Sequence, residues 1–243
     1  MSAAAPDLRP PLSPALRRLA ALAPLDENAH AALLAAAERR RFLPRRRELA
    51  KEGTPVGEVR LILDGWAARV RDLEDGRRQI LGFLLPGDLI GRCAQSRPLF
   101  VSTVVAVSDV VLCPAPSDPL PPALSEAFAV SQALQEAYLL ANVTRLGRMT
   151  AEERLLDLFL ELHERLDLCG LAPADGFPLP VTQEGLGDAV GLTPVHVNRV
   201  LQHLRRRGDI VLKGGRLTLP DSKALARAVG RPAVRVTEDA PIP

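Results

Sequence analysis

Residues 182–216, TQEGLGDAVGLTPVHVNRVLQHLRRRGDIVLKGGR, constrain the fold more tightly than any other stretch of the 243-residue chain. Thr182 is placed to cap a short helix, with Gln183 and Glu184 in its first turn, because a side-chain oxygen there satisfies an amide that the helix itself leaves unpaired. Val181 and Leu186 stand at the two positions of a hydrophobic staple. Gly191 predicts the helix end, since glycine accepts the left-handed conformation common there. A second helix follows almost at once: Thr193 caps it, Pro194 fills its first position, and Leu192 and Val197 form another staple. Two short helices joined by a tight glycine-containing turn make a helix-turn-helix.

The second helix has two faces. Val197, Val200, Leu201 and Leu204 follow helical spacing and are expected to be buried. Val195, Asn198, Arg199, Gln202 and Arg206 fall on the outer side, where an aliphatic group, amides and guanidinium groups suit base edges. Arg205, Arg206, Arg207, Lys213 and Arg216 add positive charge against Asp209, the balance expected of a helix entering a phosphate-lined groove. After Gly208, the runs 209–213 and 216–219 flank Gly214-Gly215, a two-residue hairpin signal that adds a wing.

The chain's net charge is only +2, so positive charge is local to such patches, and 3% aromatic content argues against base stacking on aromatic platforms. No apolar run approaches the ~20 residues that span a membrane, and no signal peptide is read at the N-terminus. Three widely spaced cysteines, Cys93, Cys113 and Cys169, suit reduced thiols, and the expected compartment is the cytoplasm.

Ahead of this unit, residues 1–13 read as a disordered tail and 14–120 as a sensor domain. Within the latter, 14–23 and 26–43 read as helices anchored by Leu16, Leu19, Leu22, Leu33 and Leu34, and the arginines at 39–41 and 45–47 as solvated surface. From Glu48 to Cys113 short strands alternate with turns: 59–63, 67–73, 79–84, 101–107 and 110–113, broken at Asp64-Gly65, Glu74-Asp75-Gly76 and Pro86-Gly87-Asp88. That spacing predicts a small antiparallel barrel or sandwich. Residues 121–148 read as one long helix ended by Gly147, with Ala127, Val130, Leu134, Ala137 and Ala141 forming a three-four seam. Such a seam serves a two-helix coiled coil or docking within one chain. Phe128, Leu139, Val143 and Leu146 lie off the seam, available to the barrel. Thr150 and Glu153 form a capping box for a helix over 151–168, with Leu155, Leu156, Phe159, Leu162 and Leu166 as its core face. Residues 170–180 read as a proline-rich connector, 149–222 as the DNA-binding domain, and 223–243 as a polar tail with one short helix.

A glycine-punctuated β-roll, a long helix and a C-terminal winged helix-turn-helix resemble the cyclic-AMP receptor protein/FNR (Crp/Fnr) family of bacterial transcription regulators. The most specific stretches are GLTPVHVNRVLQHLRRRG at 191–208 and GWAARVRDLEDGRRQILGFLLPGDLIG at 65–91. The resemblance implies an α+β fold with an N-terminal cyclic-nucleotide-binding-like β-roll of the jelly-roll type. It also implies a homodimer formed through the long helix, a two-fold symmetric operator in double-stranded DNA, and contact with RNA polymerase. It places Val195, Asn198 and Arg199 at base-reading positions. Thr182, Gln183, Thr193, His196 and Arg206 are the expected phosphate contacts, a role that helix N-termini suit.

The sensor departs from the family's cyclic-nucleotide binders. They carry a glutamate after the PGD-x-x-G turn and an Arg-Ser or Arg-Thr pair before the next strand. Here Arg92 follows Gly91, Phe100-Val101 stand at the pair, and Arg97 is out of register. A cyclic phosphate would lose charge-assisted hydrogen bonds worth ~1.5–3 kcal/mol each, so cyclic AMP is not expected to bind. No iron–sulfur cluster is expected, since three thiols cannot supply four ligands, and no haem, since His30, His163, His196 and His203 lie outside the strands. Cys93 and Cys113 remain as a candidate thiol switch, Cys93 the better placed because Arg92 adjoins it.

A metalloenzyme on the barrel would need clustered ligands, and no histidine lies between residues 42 and 121; phosphate-loop and nucleophile-elbow motifs are also lacking. The function expected is therefore a DNA-binding transcription regulator answering an unidentified signal. The alternatives are a ligand-independent DNA-binding dimer or a thiol-redox regulator.

Overall fold

The computed structural model describes residues 12–93, 96–117, 119–173 and 176–238. Two helices, α1 (Leu12–Leu22) and α2 (Glu27–Glu38), precede eight strands: β1 (Arg41–Leu43), β2 (Glu48–Ala50), β3 (Arg60–Asp64), β4 (Ala67–Asp72), β5 (Arg78–Leu84), β6 (Leu89–Ile90), β7 (Thr103–Ala106) and β8 (Val110–Pro114). Helices α3 (Pro122–Arg148) and α4 (Ala151–Leu168) lead through β9 (Phe177–Pro178) to α5 (Gln183–Val190), α6 (Pro194–Arg207), β10 (Val211–Lys213), β11 (Arg216–Thr218) and α7 (Ser222–Ala228).

Antiparallel sheets in the orders β1-β8-β3-β6 and β2-β7-β4-β5 face each other as a jelly roll, filled by residues such as Ile62, Leu84, Phe100 and Val104. Strand alternation gives each sheet a second apolar face. Leu61 and Leu63 pack outward beneath Leu19, Leu33 and Phe128 of the helices. Trp66, Val70 and Phe83 pack outward against Leu155, Phe159 and Leu162 of α4, in one core with the helix-turn-helix. The α+β class, the roll, the long helix and the winged unit stand as expected, as does the Thr150–Glu153 capping box.

Several boundaries differ from the sequence reading. Helix α1 begins at Leu12, so residues 12–13 are not tail, while 1–11 lie outside the described residues. Helix α2 stops at Glu38, where Arg39-Arg40-Arg41 offers nothing to its buried face, and Phe42 and Leu43 pair with Val111 and Val110 instead. Leu34 is 57% exposed and anchors nothing. Gly147 does not end α3, which runs to Arg148 and is capped at Met149. The connector contributes β9, whose Phe177 is fully buried.

The seam on α3 is turned the other way. Ala127, Val130 and Leu134 are buried within the chain, the last two beside Leu22 and the tail residues Val234 and Val236. Leu139, Leu140 and Val143, the first and last of which were assigned to the barrel side, are 49%, 62% and 62% exposed. The segment after α7 is thus no loose tail as far as residue 238; 239–243 lie outside the described residues.

A chain of buried ions runs across the molecule. Asp88, in the turn after β5, is fully buried between Arg18 of α1 (Nη2 to Oδ1 2.8 Å) and Arg165 of α4 (Nη2 to Oδ2 2.8 Å). Arg165 also meets Glu161 at 3.0 Å, Glu161 meets Arg145 of α3 at 2.6 Å, and Arg145 meets Asp157 at 2.8 Å. Asp157 closes on Arg231 at 2.8 Å, and Arg231 on Glu164 at 2.8 Å. Four cations thus face four carboxylates. Burial pushes the Asp88 carboxyl up, but Arg18, Arg165, the Leu85 amide and Gln135 together hold it below its ordinary 3.8. A carboxyl depressed on folding contributes stability that is complete above the unfolded pKa and is lost as pH falls through the folded one.

Asp88→Asn is therefore expected to lower the unfolding free energy at pH 7 by about 3–5 kcal/mol, because it leaves two buried guanidinium groups without their shared anion. Urea denaturation measures it, and the deficit should shrink as the pH is taken below about 4. A loss under ~1 kcal/mol at pH 7 would place Asp88 with solvent-screened pairs and contradict the assignment.

Candidate nucleic-acid interface and sensor cavity

Both helix starts are capped as the sequence implies. The Thr182 hydroxyl accepts from the Gly185 amide at 3.1 Å and the Thr193 hydroxyl from the His196 amide at 3.3 Å. Gly191 and Gly208 end their helices at φ 68° and 82°. Gly187, which the sequence reading passed over, fixes the angle between α5 and α6: a Cβ there would lie 2.4 Å from the Leu192 carbonyl oxygen. Its signal in the sequence is a glycine inside a capped helix, which loses helix propensity unless something needs the space.

Val197, Val200, Leu201 and Leu204 are all buried, and they turn the rest of α6 outward. Val195 is 63% exposed; Arg199 and Arg206 are exposed and share an open groove with Thr193, His196 and His203. Asn198 stands apart from that groove. Its Nδ2 donates to Gln183 Oε1 at 3.0 Å, and its Oδ1 accepts from Gln202 Nε2 at 2.8 Å, an amide ladder joining α5 to α6. Gln183 is therefore engaged with Asn198. The second residue the sequence did not indicate is Glu152, at the start of α4, which lies 3.2 Å from Arg207 Nη1 and 3.5 Å from His203 Nε2. Arg207 is paired with Glu152 and Asp209, while Arg199, Arg205, Arg206 and Lys213 are exposed. The wing forms from β10 and β11, which add to β9 as a three-stranded sheet.

The second feature is a cavity of about 690 Å³ between the roll, α3 and α4, lined among others by Gly91, Arg92, Cys93, Phe100 and Val101. The Phe100 ring is buried over Gly91, where a Cβ would lie 3.1 Å from Phe100 Cε1, and the Arg60 guanidinium carbon sits 5.9 Å from the ring centroid. Val101 is 75% exposed. Arg92 lies over Phe128, 5.3 Å from its centroid. Phe100 and Val101 thus put a phenyl ring and an aliphatic side chain, not hydrogen-bond donors, in this part of the cavity. Two polar residues that the sequence reading did not single out also line the cavity, Arg69 and Ser102.

The cysteines separate by environment. Cys93 is exposed, while Cys113 and Cys169 are buried. Burial pushes the Cys113 thiol up to about 11 and the Cys169 thiol up to about 12, which disfavours a thiolate at Cys113 near neutral pH. Among the described residues no group of three or more His, Cys, Asp or Glu is placed to hold a metal ion, and no helix is long and apolar enough to cross a membrane.

Comparison with known proteins gives two family matches: a Crp-like helix-turn-helix domain over residues 153–228 and a cyclic nucleotide-binding domain over 40–125. The chain is 33% identical to the transcriptional activator protein FnrL of Cereibacter sphaeroides, over 68% of this chain and 69% of that protein. It is 32% identical to the nitrogen fixation regulation protein FixK of Azorhizobium caulinodans, over 83% and 84% respectively. Among solved structures, FixK2 from Bradyrhizobium japonicum superposes with a TM-score of 0.66 at 26% identity, covering 77% of this chain and 95% of that one.

Calorimetric titration of the protein with millimolar cyclic AMP is expected to give no saturable heat, because Phe100 and Val101 supply no donor to the phosphate. A micromolar dissociation constant would show that the ring moves aside and that this view of the cavity is wrong.

Proposed function

The chain belongs to the Crp/Fnr family of transcription regulators, and we propose that it acts as a homodimer on a two-fold symmetric operator. Each subunit lays α6 in the major groove of one half-site. The observation that carries this reading is the outer face of α6, where Val195 and Arg199 project from a helix anchored by four buried residues. Val195 suits a thymine methyl, and Arg199 suits the two acceptors of guanine. Asn198 holds Gln183 with one of its two amide hydrogens, keeping α5 and α6 in register, and has a second donor left for a base edge. Thr182, Gln183, Thr193 and His196 sit at helix N-termini, where unpaired amides and the helix dipole favour phosphate, and Arg206 adds charge further along. Regulation by such a dimer runs through RNA polymerase.

Leu139, Leu140 and Val143 of α3 support the dimer: three large apolar side chains exposed within one and a half turns. The signal is read as a small molecule in the 690 Å³ cavity; the burial of Cys113 leaves the exposed Cys93, in the wall of the same cavity, as the thiol alternative.

On this reading Arg199→Ala costs ~1–3 kcal/mol on the operator and relaxes preference at one base pair per half-site. Arg206→Ala weakens operator and scrambled duplex alike and makes the salt slope shallower by about one unit for each phosphate the side chain neutralised. Fluorescence anisotropy across salt concentrations separates the two. Equal losses on both duplexes for Arg199→Ala would make that residue a phosphate-binding one.

The double substitution Leu140→Arg, Val143→Arg is expected to give a monomer of unchanged circular dichroism in sedimentation velocity at micromolar protein. Leu134→Arg should instead unfold the chain, since Leu134 is buried within it. A double variant that still sediments as a dimer would move the interface elsewhere.

A further inference from the structure

We propose that the cavity between the roll and α3 binds a small monocarboxylate with an apolar body, its carboxylate held by Arg69 and Ser102. The inference rests on the reading of the chain as a signal-responsive regulator and names the chemical class of its signal.

Arg69 is the anomaly. In β4 the alternation sends Ala68 and Val70 outward to the core shared with α4, and Ala67 inward to the roll, so Arg69 falls on the inner face. Its cross-strand partners are Val104 on β7 and Gly82 on β5. Gly82 has no side chain, and the register shifts there because Leu81 is an extra residue on β5, which leaves open space in front of the guanidinium. Among the described residues Arg69 has no hydrogen-bond acceptor and no ion pair. Loss of water around it pushes its pKa down; Asp88 raises it in part and Arg165 lowers it further.

The buried acids nearby are not free to neutralise it. Both oxygens of Asp88 are taken by Arg18 and Arg165, and the remaining buried acids are taken by Arg145, Arg165 and Arg231. The ion chain balances without Arg69; with Arg92 and Glu136, of opposite sign, in the same lining, the cavity keeps one net positive charge. Arg71, two residues along, is committed to Glu52 at 2.9 Å and to the Val101 carbonyl at 3.1 Å. Glu136 lines the cavity but makes no ion pair with Arg69.

Ser102 supplies the second, independent observation. It lines the same cavity, is 3% exposed, and its Oγ has no hydrogen-bond partner among the described residues. A buried hydroxyl without a partner is unfavourable unless something arrives to bond it. A guanidinium fork and one hydroxyl match a carboxylate, and one uncompensated charge matches a monoanion rather than a phosphate dianion. The same cavity carries apolar surface from Leu81, Phe100, Tyr138 and Leu158, which suits the body of the ligand, beside the polar Gln132, Gln135 and Asn142.

The probes are decanoate and its neutral analogue decanol, titrated calorimetrically into the full-length protein below the micellar range and repeated by thermal melting. Decanoate is expected to bind saturably and raise the melting temperature, with decanol weaker by about tenfold or more for want of the charge-assisted contact. Arg69→Met should abolish that discrimination, and the ligand-free Arg69→Met protein should melt no lower than its parent, since it loses an uncompensated charge. Ser102→Ala should weaken decanoate and leave decanol unchanged. The proposal is overturned by absence of saturable decanoate binding, by equal affinity for decanol, by retained discrimination in Arg69→Met, or by a ligand-free Arg69→Met protein that melts well below the parent. Anisotropy on the operator without decanoate reads the DNA-binding function separately, so either conclusion can fail while the other stands.

Discussion

Two arginines from opposite layers converge on one buried carboxylate, and much of the architecture depends on that meeting. Arg18 comes from the helices over the first sheet and Arg165 from the helix under the second, and Asp88 sits between them in the turn after β5. Removing ions from water is so unfavourable that such a group persists only when its whole partner set is present. The set here includes backbone as well: Arg18 donates to the Gly87 carbonyl at 2.7 Å, Arg165 to the Phe83 carbonyl at 2.9 Å, and the Leu85 amide donates to Asp88 at 2.8 Å. Apolar contacts between α4 and the β4–β5 face are non-directional and would tolerate sliding. The ions do not, so the hydrophobic layer supplies attraction while the ion chain fixes register.

That division matters for the cavity, because Arg145, Glu161 and Arg165 belong both to the ion chain and to the cavity wall. Helix α4 therefore meets the cavity through its middle and α6 through its first turn, where Glu152 contacts Arg207 and His203. Ala189 of α5 is also in the wall, and its carbonyl accepts from Gln79 of β5 at 3.4 Å. An occupant of the cavity touches elements that position the helix-turn-helix, without any long relay between them.

The winged unit was legible because its determinants are local. Caps and the Gly-Gly turn act within four or five residues of one another, and each was found where the sequence placed it. The roll was legible from its Asp-Gly turns, except for β1, β2 and β6, which, like β9 in the winged unit, are two or three residues long, have no period of their own and exist only by pairing. The ion chain was not read, since its partners are separated by tens of residues. One sign of it was present: Leu155, Leu156, Leu158, Phe159, Leu160 and Leu162 cover every side of α4, so Asp157, Glu161 and Arg165 between them had nowhere exposed to go. Arg69 was hidden for a related reason. An inward charge in a strand looks like an outward one until the register is known, and the register depends on the shift at Gly82.

The seam on α3 shows where spacing alone stops deciding. Steps of three and four describe a helix stripe whether it meets a second copy or its own chain. What decides here is the returning C-terminal segment, which Arg231 pins to Asp157 and Glu164 so that Val234 and Val236 cover Val130 and Leu134. That cover reaches only the N-terminal half of the helix. In the C-terminal half the inward positions are taken by Asn142, bonded to the Leu81 carbonyl, and by Arg145 in the ion chain. Polar groups with fixed partners hold that half in one rotation about its axis. The rotation they impose turns Leu139, Leu140 and Val143 outward together, on the one face of α3 that no other described part of the chain is placed to bury.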